Sequence, residues 1–199
     1  MMPTISEGQL RFEFPSDWQA SKFDEWSFYR NQFMKLAGAS MNCSKCEDGI
    51  RCANCGNKNV AGTKGIDVLA IEPGSICWQI EIKDYRQTRV SNFAFLADEV
   101  ALKVRDTLAC LVVAAISAND AGERQLAQAA LHCNRLRVVL HLEQPPPKSP
   151  LESAASRKAN VLQRLKQLIK SIDPRPLVLD MSSMGQVAWV VTQIGTPRP

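Results

Sequence analysis

Residues 62–86 read GTKGIDVLAIEPGSICWQIEIKDYR. One apolar run, Val68-Leu69-Ala70-Ile71, follows Asp67, and a second, Ile76-Cys77-Trp78-Gln79-Ile80, leads into Glu81-Ile82-Lys83. Pro73-Gly74-Ser75 between them favours a turn, because proline pre-sets a turn φ and glycine tolerates positive φ. An antiparallel hairpin is the simplest pairing. Side chains on a strand alternate between faces. Trp78, Ile80 and Ile82 fall on an apolar face that needs a core, and Gln79, Glu81, Lys83 and Tyr85 fall on a polar one. The hairpin returns Asp67 to the polar end of the second strand.

Two carboxylates and an ammonium at adjacent strand ends can hold a divalent ion and a water, which is the chemistry of phosphodiester hydrolysis. Asp67 and Glu81 are the candidate ligands for Mg²⁺ or Mn²⁺, hard ions that take oxygen donors, with the Ile82 carbonyl as a further donor. Lys83 would orient or deprotonate the attacking water and offset charge on the phosphate. Lys64 and Arg86 flank the stretch and are candidates for phosphate contacts. A bare Glu-x-Lys triplet is common and usually marks a solvated strand face with a weak ion pair. The acid, turn, apolar strand and triplet in succession favour the site.

At these residues the chain resembles the PD-(D/E)xK nuclease superfamily, the restriction-endonuclease-like group. Asp67 matches its first acid, and Glu81 and Lys83 match its (D/E)xK element. Ile66 stands where the naming proline would be, and the helix after the motif lacks the Gln and Tyr of the RecB-like branch. The resemblance covers residues 20–117 as a pattern. It implies an α/β fold with an αβββαβ core, a mixed central sheet flanked by helices, and the metal site at the hairpin. Many members add an acid from the first helix, and Glu25 is the best match here. The resemblance also implies a nucleic-acid partner, DNA first, and many such nucleases dimerise to cut both strands.

Upstream, Cys43, Cys46, Cys52 and Cys55 form a C-x2-C-x5-C-x2-C pattern. Each C-x2-C turn can point two thiolates at one centre, and two turns complete a tetrahedral four-sulfur site. Structural Zn²⁺ is the expectation. An iron–sulfur cluster is the alternative, since some nucleases of the superfamily carry one. A closed four-thiolate site leaves no open position for catalysis, so its role would be to fold a zinc knuckle at 41–58 inserted in the domain. Lys45 and Arg51 on its rim read as phosphate contacts or as ordinary surface charge. Cys77, Cys110 and Cys133 read as core thiols.

The remaining pattern alternates helices and strands, which argues for a layered α/β domain. The spacing of Trp26, Tyr29, Phe33 and Leu36 predicts a helix over 21–37, with Ser21 and Asp24 resembling a capping box. Leu96, Val100 and Val104 predict a helix over 92–107. The unbroken apolar run 108–116 predicts a strand buried on both faces. A helix over 120–133 capped by Asp120 and Glu123, a strand over 136–142, a helix over 152–171 and a strand over 187–194 follow. Pro145-Pro146-Pro147 breaks the chain before the long helix. That helix has an inward stripe of Leu162, Leu165, Ile169 and Ile172. Its Arg157, Lys158, Arg164, Lys166 and Lys170 project elsewhere, as a phosphate-tracking face or a solvated one.

The chain has 199 residues and net charge +4, a size suited to one domain over 1–199 and a mild basic excess that says little by itself. No run is long and apolar enough to span a bilayer, and Met1–Phe14 carries Glu7, Arg11 and Glu13 in place of an apolar signal core. A cytoplasmic protein without membrane contact is expected. Gly62-Thr63-Lys64 fails the phosphate-loop spacing, and His132 and His141 belong to no recognisable triad. The expected function is Mg²⁺-dependent DNA cleavage. Two alternatives remain: a silent nuclease-fold subunit that binds nucleic acid or assembles with other proteins, and a zinc-bearing component of a defence or repair complex.

Overall fold

The computed structural model describes residues 2–35, 63–87, 93–145 and 153–194. In chain order the strands are β1 (Thr4–Glu7), β2 (Leu10–Glu13), β3 (Gln19–Lys22), β4 (Val68–Glu72), β5 (Ile76–Asp84), β6 (Arg135–Glu143), β7 (Leu177–Leu179) and β8 (Val190–Gln193). The helices are α1 (Ser27–Asn31), α2 (Leu96–Ser117), α3 (Ala121–Leu131) and α4 (Ala154–Leu168).

The turn after β4 forms as its residues predict, with Gly74 at φ 93° and Ser75 at φ 71°. It joins β4 and β5 in an antiparallel hairpin in which Val68 faces Ile80 and Glu72 faces Ile76. β3 adds antiparallel to β4, and β6 and β7 add in parallel beyond β5, giving a mixed five-stranded sheet in the order β3-β4-β5-β6-β7. β1, β2 and β8 form a separate antiparallel sheet of three strands.

Alternation along β5 sorts the two faces. Trp78, Ile80 and Ile82 pack with Phe12, Phe14, Trp18 and Trp189 between the two sheets. The rings of Phe14, Trp18, Trp78 and Trp189 meet at centroid distances of 5.1–6.3 Å, for example Trp78–Trp189 at 5.1 Å and Trp18–Trp78 at 6.3 Å. Each large apolar side chain buried there contributes about 1.5–3 kcal/mol. The other face carries Leu69, Cys77, Val138 and Leu140 against α2, α3 and α4. Glu81 projects to this helix side with Cys77 and Gln79, so the polar face of β5 lies under a helix and not in water.

Three expectations change. The apolar run at 108–116 is the second half of α2, not a strand. A continuous apolar run does not separate a buried strand from a helix; length and composition must do so. Here the run continues a helix already under way, with Ala109, Ala114 and Ala115 as strong helix formers. Cys110, Leu111 and Ala114 are buried while Val112, Val113 and Ile116 face outward, which is helical spacing. The strand that β5 needs is β6, whose Leu140 stands beside Glu81.

The helix expected over 21–37 is mostly other structure: β3, a 3-10 turn at Phe23–Glu25, the short α1 and a 3-10 turn at Phe33–Lys35. The Ser21 hydroxyl accepts a hydrogen bond from the Trp26 indole at 2.8 Å, so it caps nothing. Glu123 caps α1 from a distance, accepting from the backbone N–H of Ser27 at 2.6 Å and Phe28 at 3.0 Å. The aromatic residues Trp26, Tyr29 and Phe33 are core, as expected. The box at Asp120 is half formed: Asp120 accepts from Glu123 N–H at 2.9 Å, but the Glu123 carboxylate goes to α1. Among the described residues no helix is long and apolar enough to cross a membrane.

Candidate functional site

Asp67 immediately precedes β4, beside the point where β5 runs on past β4 with only β6 as its neighbour. Its Oδ2 accepts the backbone N–H of Ile82 at 2.6 Å, which fixes the carboxylate against the strand carrying Glu81 and Lys83. α2 crosses above. Lys103 of α2 donates to Glu81 Oε1 at 2.6 Å and to Asp67 Oδ1 at 3.4 Å. Lys83 Nζ stands 3.1 Å from Glu81 Oε1 and 3.2 Å from Glu99 Oε1, one turn before Lys103. Asp67, Glu81 and Lys83 therefore meet, within a charge network that α2 completes.

Lys103 and Glu99 were not nominated from the sequence. The signal was there: Lys103 lies three residues after Val100, four before Thr107 and seven before Cys110, all buried. A lysine on that stripe must find an anion, because an isolated buried charge is too costly.

Burial raises the Glu81 carboxyl to about 7, and the nearby Asp67 charge adds to it, while Lys103 and Lys83 pull it down. Burial acts to lower both lysines, but Glu81 and its neighbouring carboxylates outweigh it and hold both ammoniums charged. Lys83 is thus held as a charged donor beside Glu81 and Glu99. Glu81 Oε2 is buried with no partner among the described residues, and so are both amide atoms of Gln79, one pleat below.

The network opens to a cleft of about 450 Å³ lined by Asp24, Tyr29, Arg30, Lys64, Asp67 and Lys103. Asp24, not Glu25, is the acid at this cleft. Burial and then the charge of Asp67 raise the Asp24 carboxyl, and its Oδ1 is buried without a partner among the described residues. Glu25 is drawn to Lys22 at 2.8 Å with its side chain half exposed. Lys64 lies on the cleft wall, its backbone N–H anchored to Asp106 at 3.0 Å. Gly65 is required beside it: a Cβ there would come within 2.8 Å of the Phe23 ring and 3.1 Å of Tyr29. Tyr29 in turn accepts the Gly65 N–H at 2.6 Å and donates to the Thr63 carbonyl at 3.1 Å.

Arg86 is not brought to the cluster. Its guanidinium binds Asp84 at 2.6 and 2.8 Å and Gln193 of β8 at 2.8 Å, on the side of the small sheet. His141 is a core residue there, edge-on to Phe12 and 3.0 Å from Glu143. Cys77 and Cys110 are buried free thiols and Cys133 a partly buried one. Cys43, Cys46, Cys52 and Cys55, with Lys45 and Arg51, lie outside the described residues. Among the described residues no three His, Cys, Asp or Glu side chains converge as a metal cage, so Asp67 and Glu81 stand as a pair.

No family model matches the chain, and no solved structure matches it. Over 170 residues, 81% of the chain, it is 34% identical to a cysteine–tRNA ligase of Neisseria meningitidis serogroup A / serotype 4A (strain DSM 15465 / Z2491). The chain spans 24% of the length of that relative, so the likeness is to a part of it.

Proposed function

We propose that the chain is a Mg²⁺-dependent nuclease of the PD-(D/E)xK kind, acting on DNA first among nucleic acids. The observation that carries this is the convergence of Asp67, Lys103, Glu81 and Lys83, in which one carboxylate oxygen of Glu81 lies 2.6 Å from Lys103 and 3.1 Å from Lys83. The order α1, β4, β5, α2, α3, β6 supports a restriction-endonuclease-like core, and β3 departs from it by preceding α1 and α3 by adding a second helix before β6.

The residues fit the ion. Mg²⁺ is usually bound through one or two carboxylates, with waters and substrate phosphate completing the shell. Asp67 and Glu81 supply two carboxylates, and Glu81 Oε2, buried with no partner among the described residues, is open to an ion. Mg²⁺ bound there would supply Lewis-acid stabilisation of charge developing on the phosphate. The protein's own groups do the rest. Lys83 donates to the attacking water and orients it. Lys103 offsets negative charge between the two carboxylates and the phosphate. Lys64 and Arg30 on the cleft wall attract the backbone.

Plasmid and oligonucleotide substrates with Mg²⁺ test this: the wild-type protein should cut, and Lys83→Ala should not at unchanged fold. Cleavage that survives in Lys83→Ala sinks the mechanism. The structural zinc at Cys43, Cys46, Cys52 and Cys55 belongs to the same proposal. Elemental analysis giving stoichiometric zinc supports it, and iron would replace it with a cluster.

A second reading has one observation in its favour. The matching segment is a quarter of a protein named for charging tRNA. A unit carried within such a protein would bind tRNA, and the fold would then serve binding without cleavage. Binding of tRNA with no hydrolysis of any substrate would favour this reading.

A further inference from the structure

A second groove lies beside the charged cluster, between α4 and the start of α2. It has a volume of about 380 Å³ and is lined by Phe93, Ala97, Arg157, Asn160, Val161 and Arg164. Phe93 ties it to the cluster. Its ring meets Tyr85 edge-on at 5.8 Å, and Tyr85 feels the charges of Lys83, Glu99, Glu81 and Lys103. Ala97 in the groove and Lys103 in the cluster are six residues apart on α2, about 9 Å along its axis.

The lining has two parts. Phe93, Ala97 and Val161 make an apolar floor, and Arg157, Asn160 and Arg164 make a polar rim. The Arg157 guanidinium lies over the Phe93 ring at 5.3 Å. It makes no ion pair among the described residues, and its Nε is buried without a partner among them. Arg164 is exposed and paired with Asp98 at 2.8 Å. A groove that only tracked a duplex backbone would need cations and no apolar floor. A planar ring with a hydrogen-bonding edge fits both parts. A guanidinium plane can stack on a nucleobase, the Asn160 amide offers a donor and an acceptor to its edge, and Arg164 suits a neighbouring phosphate.

We infer that this groove is a nucleobase subsite, which takes an unpaired base next to the phosphate held at Asp67 and Glu81. The inference rests on the hydrolase reading of that cluster and narrows its substrate to single-stranded or locally unpaired nucleic acid. A base inside a duplex cannot reach the floor without leaving its stack.

The test uses the full chain and a short single-stranded DNA with 2-aminopurine at one position at a time. Ca²⁺, which takes the same oxygen ligands, replaces Mg²⁺ so that binding is read apart from cutting. One position should change its emission on binding the wild-type protein. Arg157→Met and Asn160→Ala should abolish that change and weaken binding about tenfold. Asn160 is exposed, so its variant keeps the test valid if Arg157→Met folds poorly. The subsite is overturned by the lack of a responsive position, by a response that survives both substitutions, by failure of the wild-type protein to bind the strand, or by equal affinity for a blunt duplex. Cutting of the same strand in Mg²⁺ is scored separately. Cutting by wild type with unaltered binding in both variants overturns the subsite alone. A response lost in the variants, with no cutting by wild type, keeps the subsite and overturns the hydrolase reading.

Discussion

Lys103 of α2 reaches down to within 2.6 Å of Glu81 on β5, making an ion pair whose acid is fully buried and whose lysine side chain is 14% exposed. This contact joins the helix layer to the sheet at the point where the chemistry is proposed. Breaking a buried pair from one side leaves an uncompensated charge, at a cost of about 3–5 kcal/mol. Lys103→Met should therefore lower stability by that order in denaturant melts above pH 7 and by much less in acid, where Glu81 is protonated. Equal losses at both pH values would show that the lysine is valued for packing alone.

The pH dependence follows from Glu81 itself. Burial, then the charge of Asp67, raise its carboxyl from 4.5 to about 7. Asp67 before β4, Lys83 on β5 and Lys103 on α2 are the charged groups that act on it. Between those two values the folded chain keeps a proton that the unfolded chain has released, so this group's stabilising contribution is lost as pH rises. In EDTA, the wild-type Tm should fall relative to Glu81→Gln across about pH 4.5–7. Parallel curves for the two proteins would contradict the assignment.

Gln79 carries a different cost. It is fully buried on the helix side with neither amide atom partnered among the described residues. An unsatisfied buried polar group costs about 1–3 kcal/mol, and an apolar side chain of similar shape removes that cost. Gln79→Leu should be neutral or stabilising by thermal melt. A large destabilisation would mean that the amide has a partner such as a buried water.

Gly65 holds the cleft wall at close quarters to Phe23 and Tyr29. Overpacking a tight core contact costs about 1–3 kcal/mol. Gly65→Ala should lose stability in that range and displace the Tyr29 hydroxyl from the Thr63–Gly65 backbone. Unchanged stability, with Tyr29 still protected, would contradict the packing described.

The hairpin was legible because three local signals agreed: the Pro73-Gly74-Ser75 turn, two apolar runs and period-two alternation around Glu81. These placed Asp67, Glu81 and Lys83 together. Two site residues were hidden for physical reasons. Glu25 was preferred and Asp24 was read as part of a cap, but the chain leaves β3 in a 3-10 turn, which sends Asp24 to the cleft and Glu25 to Lys22. Lys103 was not nominated because Leu96, Val100 and Val104 accounted for the inward face of that helix, whereas α2 also lays Lys103 onto Glu81 of the sheet. Arg86 was nominated for flanking the stretch, and the structure holds it against Asp84, on the side of the small sheet.

The central claim is that Asp67, Glu81 and Lys83 form one phosphodiester-cleaving centre. Its most direct measurement is the rate of DNA cleavage with Mg²⁺ by the wild-type protein, Asp67→Asn and Lys83→Ala, each first shown folded by circular dichroism. Cutting by wild type, abolished by EDTA and reduced at least a hundredfold in both variants, on the order expected for loss of a general acid–base group, is the predicted result. A folded wild-type protein that cuts no substrate with Mg²⁺ or Mn²⁺, or variants that cut as fast as wild type, would contradict it.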